Sequence, residues 1–169
     1  MNLSKRIVTG LIIFGFSVAA FGQNPAPANI AAALALKVIK YERNISSSGD
    51  VSAYVLNNPD LQSELKKGIG KAIGSATLKA VDGGGDLPAT KPSVLFVGDA
   101  SAVDAALEYS RAQKVLTVTH DPSLVADGVT LGIGVGGDGK PKIVINLTSS
   151  NEENLDWNAD IMKVARTIK

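Results

Sequence analysis

The N-terminal segment 30–45 has apolar residues at helical spacing. They recur every three or four residues between positions 30 and 45, which places them on one stripe of a helix while the basic residues lie elsewhere around the axis. The stripe consists of Ile30, Leu34, Val38, Tyr41 and Ile45. The polar segment 46–49 ends the pattern. We therefore predict a first helix that runs up to this serine-rich segment.

A second helix is predicted after residue 57. Asn58 can cap it, Pro59 suits its first helical position, and Asp60 favours the N-terminal end of the helix dipole. Leu61 and Leu65 then continue at four-residue spacing, with Ile69 after them. The glycines at positions 68 and 70 indicate that the helix ends near one of them.

Strand patterns alternate with these helices. We predict strands at 51–56, 75–81, 94–97 and 115–119. The run 94–97 is continuously apolar, as is typical of a strand covered on both faces. A third helix is predicted after it, because Ser101 and Asp104 resemble a capping box. The apolar stripe of this helix consists of Val103, Ala106 and Leu107.

The pattern changes after residue 128. Segment 129–135 alternates in polarity and is joined through 136–139 to the apolar segment 142–147, which predicts a β-hairpin. Gly132 and Gly134 lie on one face of its first strand and leave room for another element to approach. A closing helix is predicted beyond it, capped by Asn158. Its inward positions are Ile161, Val164, Ala165 and Ile168.

The alternation of strands and helices indicates the fold class. We predict a single-domain α/β protein with a mixed, mainly parallel sheet flanked by helices, followed by the C-terminal β-hairpin and the terminal helix.

The first residues have the pattern of a secretory signal peptide. Lys5 and Arg6 precede an uncharged, mostly apolar run at 7–21, and small residues at 20 and 22 suit a signal peptidase. The run is shorter than the roughly 20 residues that a membrane-spanning helix needs. We predict a cleaved leader at 1–22 with the cut after Gly22, a disordered lead at 23–29 and the folded domain at 30–169. After cleavage we expect no direct membrane insertion.

Composition excludes several classes of function. Cleavage would leave 169 − 22 = 147 residues and a formal charge of 15 − 16 = −1, because the leader holds two of the 17 basic residues. A nearly neutral chain without basic clusters offers no electrostatic surface for nucleic acid. The absence of cysteine excludes disulfides, thiol nucleophiles and cysteine-based metal sites. We predict neither a metal site nor a cofactor.

Candidate chemistry is sparse. His120, the sole histidine, and Asp121 follow the strand 115–119, while Asp99 follows the strand 94–97. Both positions are at the edge of an α/β sheet where ligands usually bind. Each also has an ordinary structural interpretation, a solvent-facing histidine and a turn or helix cap. No serine lies in a G-x-S-x-G elbow, and the letters G-x-G-x-x-G at 132–137 fall in the hairpin, not before a helix. Trp157 is either an anchor for the last helix or an exposed partner-binding aromatic.

Several segments resemble the YfiR-like family of small periplasmic regulators. The resemblance runs from 94–98 through 115–119 to the tail, where 127–131 and 143–147 look like family strands and 161–165 looks like its closing helix. Segment 37–42 is similar to the family's aromatic first helix, although the Trp-Pro that usually follows is absent here.

This resemblance implies a non-catalytic role in the periplasm. The protein would bind the outward-facing sensor part of an inner-membrane diguanylate cyclase and hold the enzyme inactive, and we expect a homodimer. Redox control through cysteine pairs, which some members use, is closed to this chain. Asn146 would hold a strand-to-helix turn, and Gly128 would have a structural role. The candidate binding residues, for partner or ligand, are Tyr41, Asp99, His120, Asp121 and Trp157.

Two other functions stay open on the residues alone. The first is a periplasmic small-ligand-binding protein with a pocket at the sheet edge near Asp99 and His120. The second, an exported hydrolase, has the least support because no base, nucleophile and oxyanion donors converge in the pattern.

Overall fold

The computed structural model describes residues 23–169, so the predicted signal peptide lies outside the described residues. The strands are β1 (Gln23–Pro25), β2 (Asp50–Leu56), β3 (Ala72–Ile73), β4 (Ala76–Gly84), β5 (Val94–Val97), β6 (Leu116–Thr119), β7 (Leu131–Gly136), β8 (Pro141–Asn146) and β9 (Arg166–Ile168). The α-helices are α1 (Ala28–Ile39), α2 (Arg43–Ser46), α3 (Pro59–Lys66), α4 (Val103–Gln113) and α5 (Leu147–Glu152). Short 3-10 helices occupy Ala100–Ala102, Pro122–Val125 and Ala159–Lys163.

All nine strands of the described chain join one sheet. Its order is β3-β4-β2-β5-β6-β7-β8-β9, and β1 pairs antiparallel with the far end of β7. The pairs from β4 across to β7 are parallel, as is β8 with β9, whereas β7 and β8 form the antiparallel hairpin. The predicted fold class, a mainly parallel sheet flanked by helices, is confirmed.

Helices cover the sheet on both faces. Alternate residues of β5 enter two separate cores, Val94 and Phe96 in one, Leu95 and Val97 in the other. Helices α1 and α3 pack into the first core and α4 into the second. This explains the continuously apolar β5, since a central parallel strand is buried on both sides. No helix within residues 23–169 is long and apolar enough to cross a membrane.

The first helix is shorter than predicted. Helix α1 ends at Ile39, and α2 begins at Arg43 as a separate turn. The break lies at Glu42, which is extended and fully buried, and its carboxylate accepts a hydrogen bond from the Ile45 backbone N–H at the start of α2. The predicted stripe was correct in part: Val38 and Ile45 are buried, whereas Ile30 is 37% exposed. The buried face is Ala31, Ala32, Ala35, Val38 and Ile39.

Helix α3 follows the sequence pattern closely. The Asn58 side chain accepts from Leu61 N at 2.9 Å, Pro59 is the first helical residue, and Leu61 and Leu65 are buried. The start of the third helix differs from the prediction. There, the capping side chain is Asp99, which accepts from Ser101 N at 2.9 Å, and Asp104 is exposed.

Both ends of the described chain add strands to the sheet. The lead predicted to be disordered instead forms β1, and Ala26 beyond it is buried and donates its N–H to His120 O at 2.8 Å. The terminal helical segment is present as the 3-10 helix Ala159–Lys163, capped by Asn158. It is shorter than predicted, and Val164 is exposed where an inward position was expected. The chain then continues as β9, because it finds a parallel partner in β8.

The hairpin glycines admit a neighbouring element, as expected. A Cβ built on Gly134 would lie 2.2 Å from Cγ of Pro122, and one built on Gly132 would lie 2.4 Å from Val125 Cγ2. Both contacts are far shorter than real carbon–carbon contacts. The missing side chains therefore let the 3-10 helix Pro122–Val125 pack directly on β7.

Candidate functional site

The structure brings two of the predicted binding residues together. Tyr41 follows α1, Trp157 precedes the last 3-10 helix, and their segments run side by side. Asn158 N donates to Tyr41 O at 2.7 Å, and residues 42 and 157 form an antiparallel bridge. We call the group of residues Lys40, Tyr41, Arg43, Asp156 and Trp157 on these two adjoining segments the aromatic patch.

Polar contacts hold the side chains of the aromatic patch in place. The Lys40 ammonium lies 5.0 Å from the centre of the Tyr41 ring, within the range of a cation–π contact. Arg43 binds Asp156 through one guanidinium nitrogen at 2.9 and 3.2 Å. The Trp157 indole N–H donates to Ser150 Oγ at 2.8 Å. Tyr41 and Trp157 are half-buried, so part of each residue stays accessible to solvent.

A buried carboxylate lies beneath the patch. One oxygen of Glu42 accepts from Ile45 N at 2.6 Å and the other accepts from Asp156 N at 2.8 Å. Glu42 therefore fixes the start of α2 and the C-terminal segment relative to each other. Its sequence context is an ordinary helix-like stretch, and no sequence signal distinguished it.

Asp99 and His120, the predicted residues of the sheet edge, do not contact each other through a hydrogen bond or an ion pair. The Asp99 carboxylate accepts from the hydroxyl and the backbone N–H of Ser101. The hydrogen bond from the Ser101 hydroxyl is the main reason why the pKa of Asp99 lies below its usual value, and a hydrogen bond from Asn57 lowers the pKa further. No hydrogen bond or ion pair between residues 23 and 169 joins Asp99 to His120.

His120 lies in the other half of this edge, next to β1. Its Nδ1 atom is buried and has no hydrogen-bond partner within the described chain. Burial lowers the pKa of the imidazole, and the charge of Asp121 acts against this. Asp121 itself accepts from the backbone N–H and hydroxyl of Ser123 and caps the 3-10 helix Pro122–Val125. The surroundings of His120 and Asp121 therefore support a structural role for each residue.

Two cavities of the sheet edge are on the Asp99 side. One of about 430 Å³ lies between the loops that follow β2, β4 and β5, and Asn57 and Ser101 line it. A second of about 190 Å³ adjoins it and also includes Asn57. His120 lines neither. Neither of these two cavities is therefore a pocket that Asp99 and His120 share.

The side chain of Glu153 is a second buried carboxylate. Glu153 is 1% exposed and accepts four hydrogen bonds, from Ser110 Oγ at 3.0 Å, Thr117 N at 3.0 Å, Thr117 Oγ1 at 2.7 Å and Thr130 Oγ1 at 2.7 Å. Burial raises the pKa of Glu153, and the bonds from Thr117, Thr130 and Ser110 oppose that rise. Glu153 joins α5 to α4, β6 and the start of β7. No sequence signal distinguished Glu153, because its partners are distant in the chain.

The two residues assigned structural roles lie in tight positions. The Asn146 carbonyl oxygen accepts from Ser149 N at 3.0 Å at the start of α5, and its amide donates to Val125 O at 3.0 Å. Gly128 has a φ of +115°, and a Cβ there would lie 2.8 Å from Leu107. Within residues 23–169, no group of three or more histidine or acidic side chains could hold a metal ion.

The family model described as YfiR/HmsC-like matches residues 28–166, which is most of the chain. The chain belongs to the YfiR/HmsC-like family. The match begins at α1 and ends inside β9, so it includes the aromatic patch, the sheet edge and both buried carboxylates. No curated protein matches this YfiR/HmsC-like chain in sequence.

A solved structure has a similar fold. It is the crystal structure of a conserved domain protein from Vibrio cholerae O1 biovar El Tor str. N16961, with a TM-score of 0.55 and 15% sequence identity. The comparison covers 86% of the YfiR/HmsC-like chain and 61% of the Vibrio chain, so the former spans less than two-thirds of the latter. At this identity the likeness shows the fold alone.

Proposed function

We propose that this protein is a periplasmic regulator that binds the periplasmic sensor part of an inner-membrane diguanylate cyclase and represses the enzyme. The observation that carries the proposal is the YfiR/HmsC-like match over residues 28–166. Repression needs no chemistry: a protein that binds the inactive arrangement of its target better than the active one shifts the target toward inactivity. A differential affinity of about 3 kcal/mol changes the ratio of the two states by more than a hundredfold.

A non-catalytic role is supported by the contacts of the candidate nucleophiles. The Ser101 hydroxyl donates to Asp99, the Ser47 hydroxyl donates to Arg43 O, and the Ser150 hydroxyl accepts from Trp157. Each serine hydroxyl is thus part of a turn, a cap or a side-chain anchor. The sole histidine does not contact them through a hydrogen bond.

We further propose the aromatic patch as the surface that contacts the cyclase. Tyrosine, tryptophan and arginine are the residues that most often contribute strongly to binding at protein interfaces. In the patch they are already ordered by the Glu42, Ser150 and Asp156 contacts, so binding would cost little side-chain entropy.

The gene deletion provides the first test. Loss of the protein should raise cellular cyclic di-GMP, and re-expression of the full chain should restore the original level. Re-expression without residues 1–22 should not restore it, although the protein accumulates in the cytosol. An unchanged cyclic di-GMP level in the deletion strain would refute the regulator, and restoration by the leaderless chain would refute the periplasmic site of action.

The second test concerns the patch. Lys40→Glu reverses the charge over the Tyr41 ring and should weaken binding to the purified sensor part by about tenfold or more. Lys91→Glu makes the same change in net charge at another exposed lysine and should leave binding unchanged. Equal affinity of the two variants would place the interface elsewhere.

Two further measurements test export and oligomeric state directly. Mass spectrometry of the protein from the periplasmic fraction should give a chain that begins at Gln23. Analytical ultracentrifugation of that chain should give a homodimer, and a monomer at all concentrations would contradict that expectation.

A further inference from the structure

The chain reverses its direction of winding between β2 and β5. After β2 it passes through α3 and adds β4 on one side, and after β5 it passes through α4 and adds β6 on the other side. Because α3 and α4 pack into the two different cores, the connections that leave β2 and β5 diverge to opposite faces of the sheet. Such a reversal leaves a crevice at the carboxyl ends of the strands, where ligands bind in open α/β sheets.

The larger cavity occupies this crevice. It measures about 430 Å³ and is lined by Asn57 after β2, by Asp86 and Leu87 after β4, and by Ser101 and Ala105 beyond β5. This volume falls in the range of roughly 300–1,000 Å³ that small-molecule sites have. Three separate loops thus contribute to one concave surface.

Contacts within the lining hold it in shape. The Tyr54 hydroxyl donates to Asp86 O at 3.0 Å, and Asn57 N donates to Gly84 O at 3.0 Å, so the loop after β4 is tied to β2. On the opposite wall, Asp99 binds both the hydroxyl and the N–H of Ser101. The crevice is therefore formed before any ligand arrives.

The lining selects for one kind of ligand. Asp86 is one of the lining residues, Asp99 hydrogen-bonds to the lining residues Ser101 and Asn57, and none of the lining residues is lysine, arginine or histidine. Anions are disfavoured at such a surface, and cations are attracted to it. Leu87, which is 39% exposed, and Ala105 give the same cavity an apolar side that suits a few carbon atoms.

We propose that this crevice binds a small cationic amine with a short hydrocarbon body. The ammonium group lies toward Asp86 and the Asn57 side-chain oxygen, and the hydrocarbon lies against Leu87 and Ala105. This site goes beyond the proposed function, since it concerns a small molecule and needs no protein partner. It is also distinct from the aromatic patch, whose residues do not line the cavity.

The test uses three probes with the same four-carbon body and different ends: 1,4-diaminobutane, butane-1,4-diol and succinate. Each is titrated into the isotope-labelled mature chain, and backbone amide shifts are followed by NMR. The diamine should give saturable shifts at Asn57, Leu87 and Ser101 below about 10 mM, while the diol and succinate should not. No saturable shift with the diamine, or equal binding of the diol or succinate, would overturn the proposal.

Matched variants locate the site. Ala105→Trp fills the cavity and Asp86→Lys reverses its charge, so each should weaken diamine binding by about tenfold or more. Ala112→Trp, at another exposed alanine of α4, and Asp127→Lys, at an exposed loop acid, make the same chemical changes outside the cavity and should leave binding unchanged. If the control variants weaken binding as much as the cavity variants do, the diamine binds the general surface and the proposed site is wrong. Because no cyclase is present, this outcome is independent of the regulator proposal.

Discussion

The Glu42 carboxylate accepts a hydrogen bond from the backbone N–H of Asp156, a residue 114 positions later, at 2.8 Å. Its other oxygen caps α2 through Ile45 N at 2.6 Å. One fully buried side chain therefore connects the first helices to the C-terminal segment.

Replacement of Glu42 tests this connection. Glu42→Ala leaves two backbone N–H groups without their acceptor, at a cost of about 1–3 kcal/mol each, so we expect the free energy of unfolding to fall by roughly 2–5 kcal/mol. The measurement is urea denaturation followed by circular dichroism. Glu64→Ala is the control, because the ion pair of Glu64 with exposed Lys67 is at the surface and its loss should change stability by less than about 0.5 kcal/mol. Similar losses in both variants would contradict the assigned role of Glu42.

Glu153 should make stability depend on pH in an unusual direction. Burial raises its pKa above the ordinary value of 4.5, so the folded protein holds the proton more tightly than the unfolded chain does. The stabilising contribution of the proton is complete below pH 4.5 and is lost as pH rises through the folded-state pKa. We expect Glu153→Gln to remove this contribution. Denaturation of both proteins at a series of pH values between 4 and 7 measures it, and parallel pH profiles would disprove it.

His120 should make stability depend on pH in the opposite direction to Glu153. Its pKa in the fold lies below the ordinary 6.5 because burial disfavours the charged ring. Its contribution is therefore present above pH 6.5 and is lost as pH falls through the lowered folded-state pKa. Since His120 is the sole histidine, its ring signals can be followed without overlap in an NMR titration. A midpoint at or above 6.5 would contradict the burial of Nδ1. His120→Asn should abolish this part of the pH dependence.

Gly134 should be intolerant of even a methyl group. Gly134→Ala places a carbon 2.2 Å from Pro122 Cγ and 2.9 Å from Asn24 O, so the 3-10 helix or β1 must shift. We expect a loss of about 1–3 kcal/mol in the free energy of unfolding, as for other overpacked sites. Gly137→Ala in the adjacent turn has no atom within 4 Å of the new carbon and should be nearly neutral. Thermal unfolding of the two variants distinguishes packing at β7 from a general preference for glycine.

Local patterns were enough to predict much of the fold. The N-cap, proline and leucines of α3, the apolar run of β5 and the glycine turn of the hairpin all act within a few residues, and the structure has each of them where expected. Strand β4 shows the limit. Its pairing with β2 shifts between Val51 and Ser52, and Ala76, Leu78 and Val81 are buried while Ala80 is only partly buried, so strict alternation does not describe the strand.

The candidate site was less predictable. The sequence indicated Tyr41 and Trp157 one at a time, but only folding placed them next to each other across the Glu42 contact. The sequence also suggested that Asp99 and His120 could share a pocket, since both follow inner strands. The structure gives them different partners and puts the two cavities on the Asp99 side.

Elements whose stability comes from neighbouring residues could be predicted from local patterns alone: helix caps, turns, the spacing of apolar residues and, through that spacing, the α/β class of the fold. The paths of the two ends of the described chain and the burial of particular polar groups depend instead on contacts between distant residues, which the fold alone creates. Strands β1 and β9 exist because the edges of β7 and β8 offer backbone partners. The carboxylates of Glu42 and Glu153 are tolerated in the interior because donors from distant segments converge on them. Hydrogen bonds between residues far apart in the chain leave no periodic trace in the sequence, and the fold alone brings their donors and acceptors together.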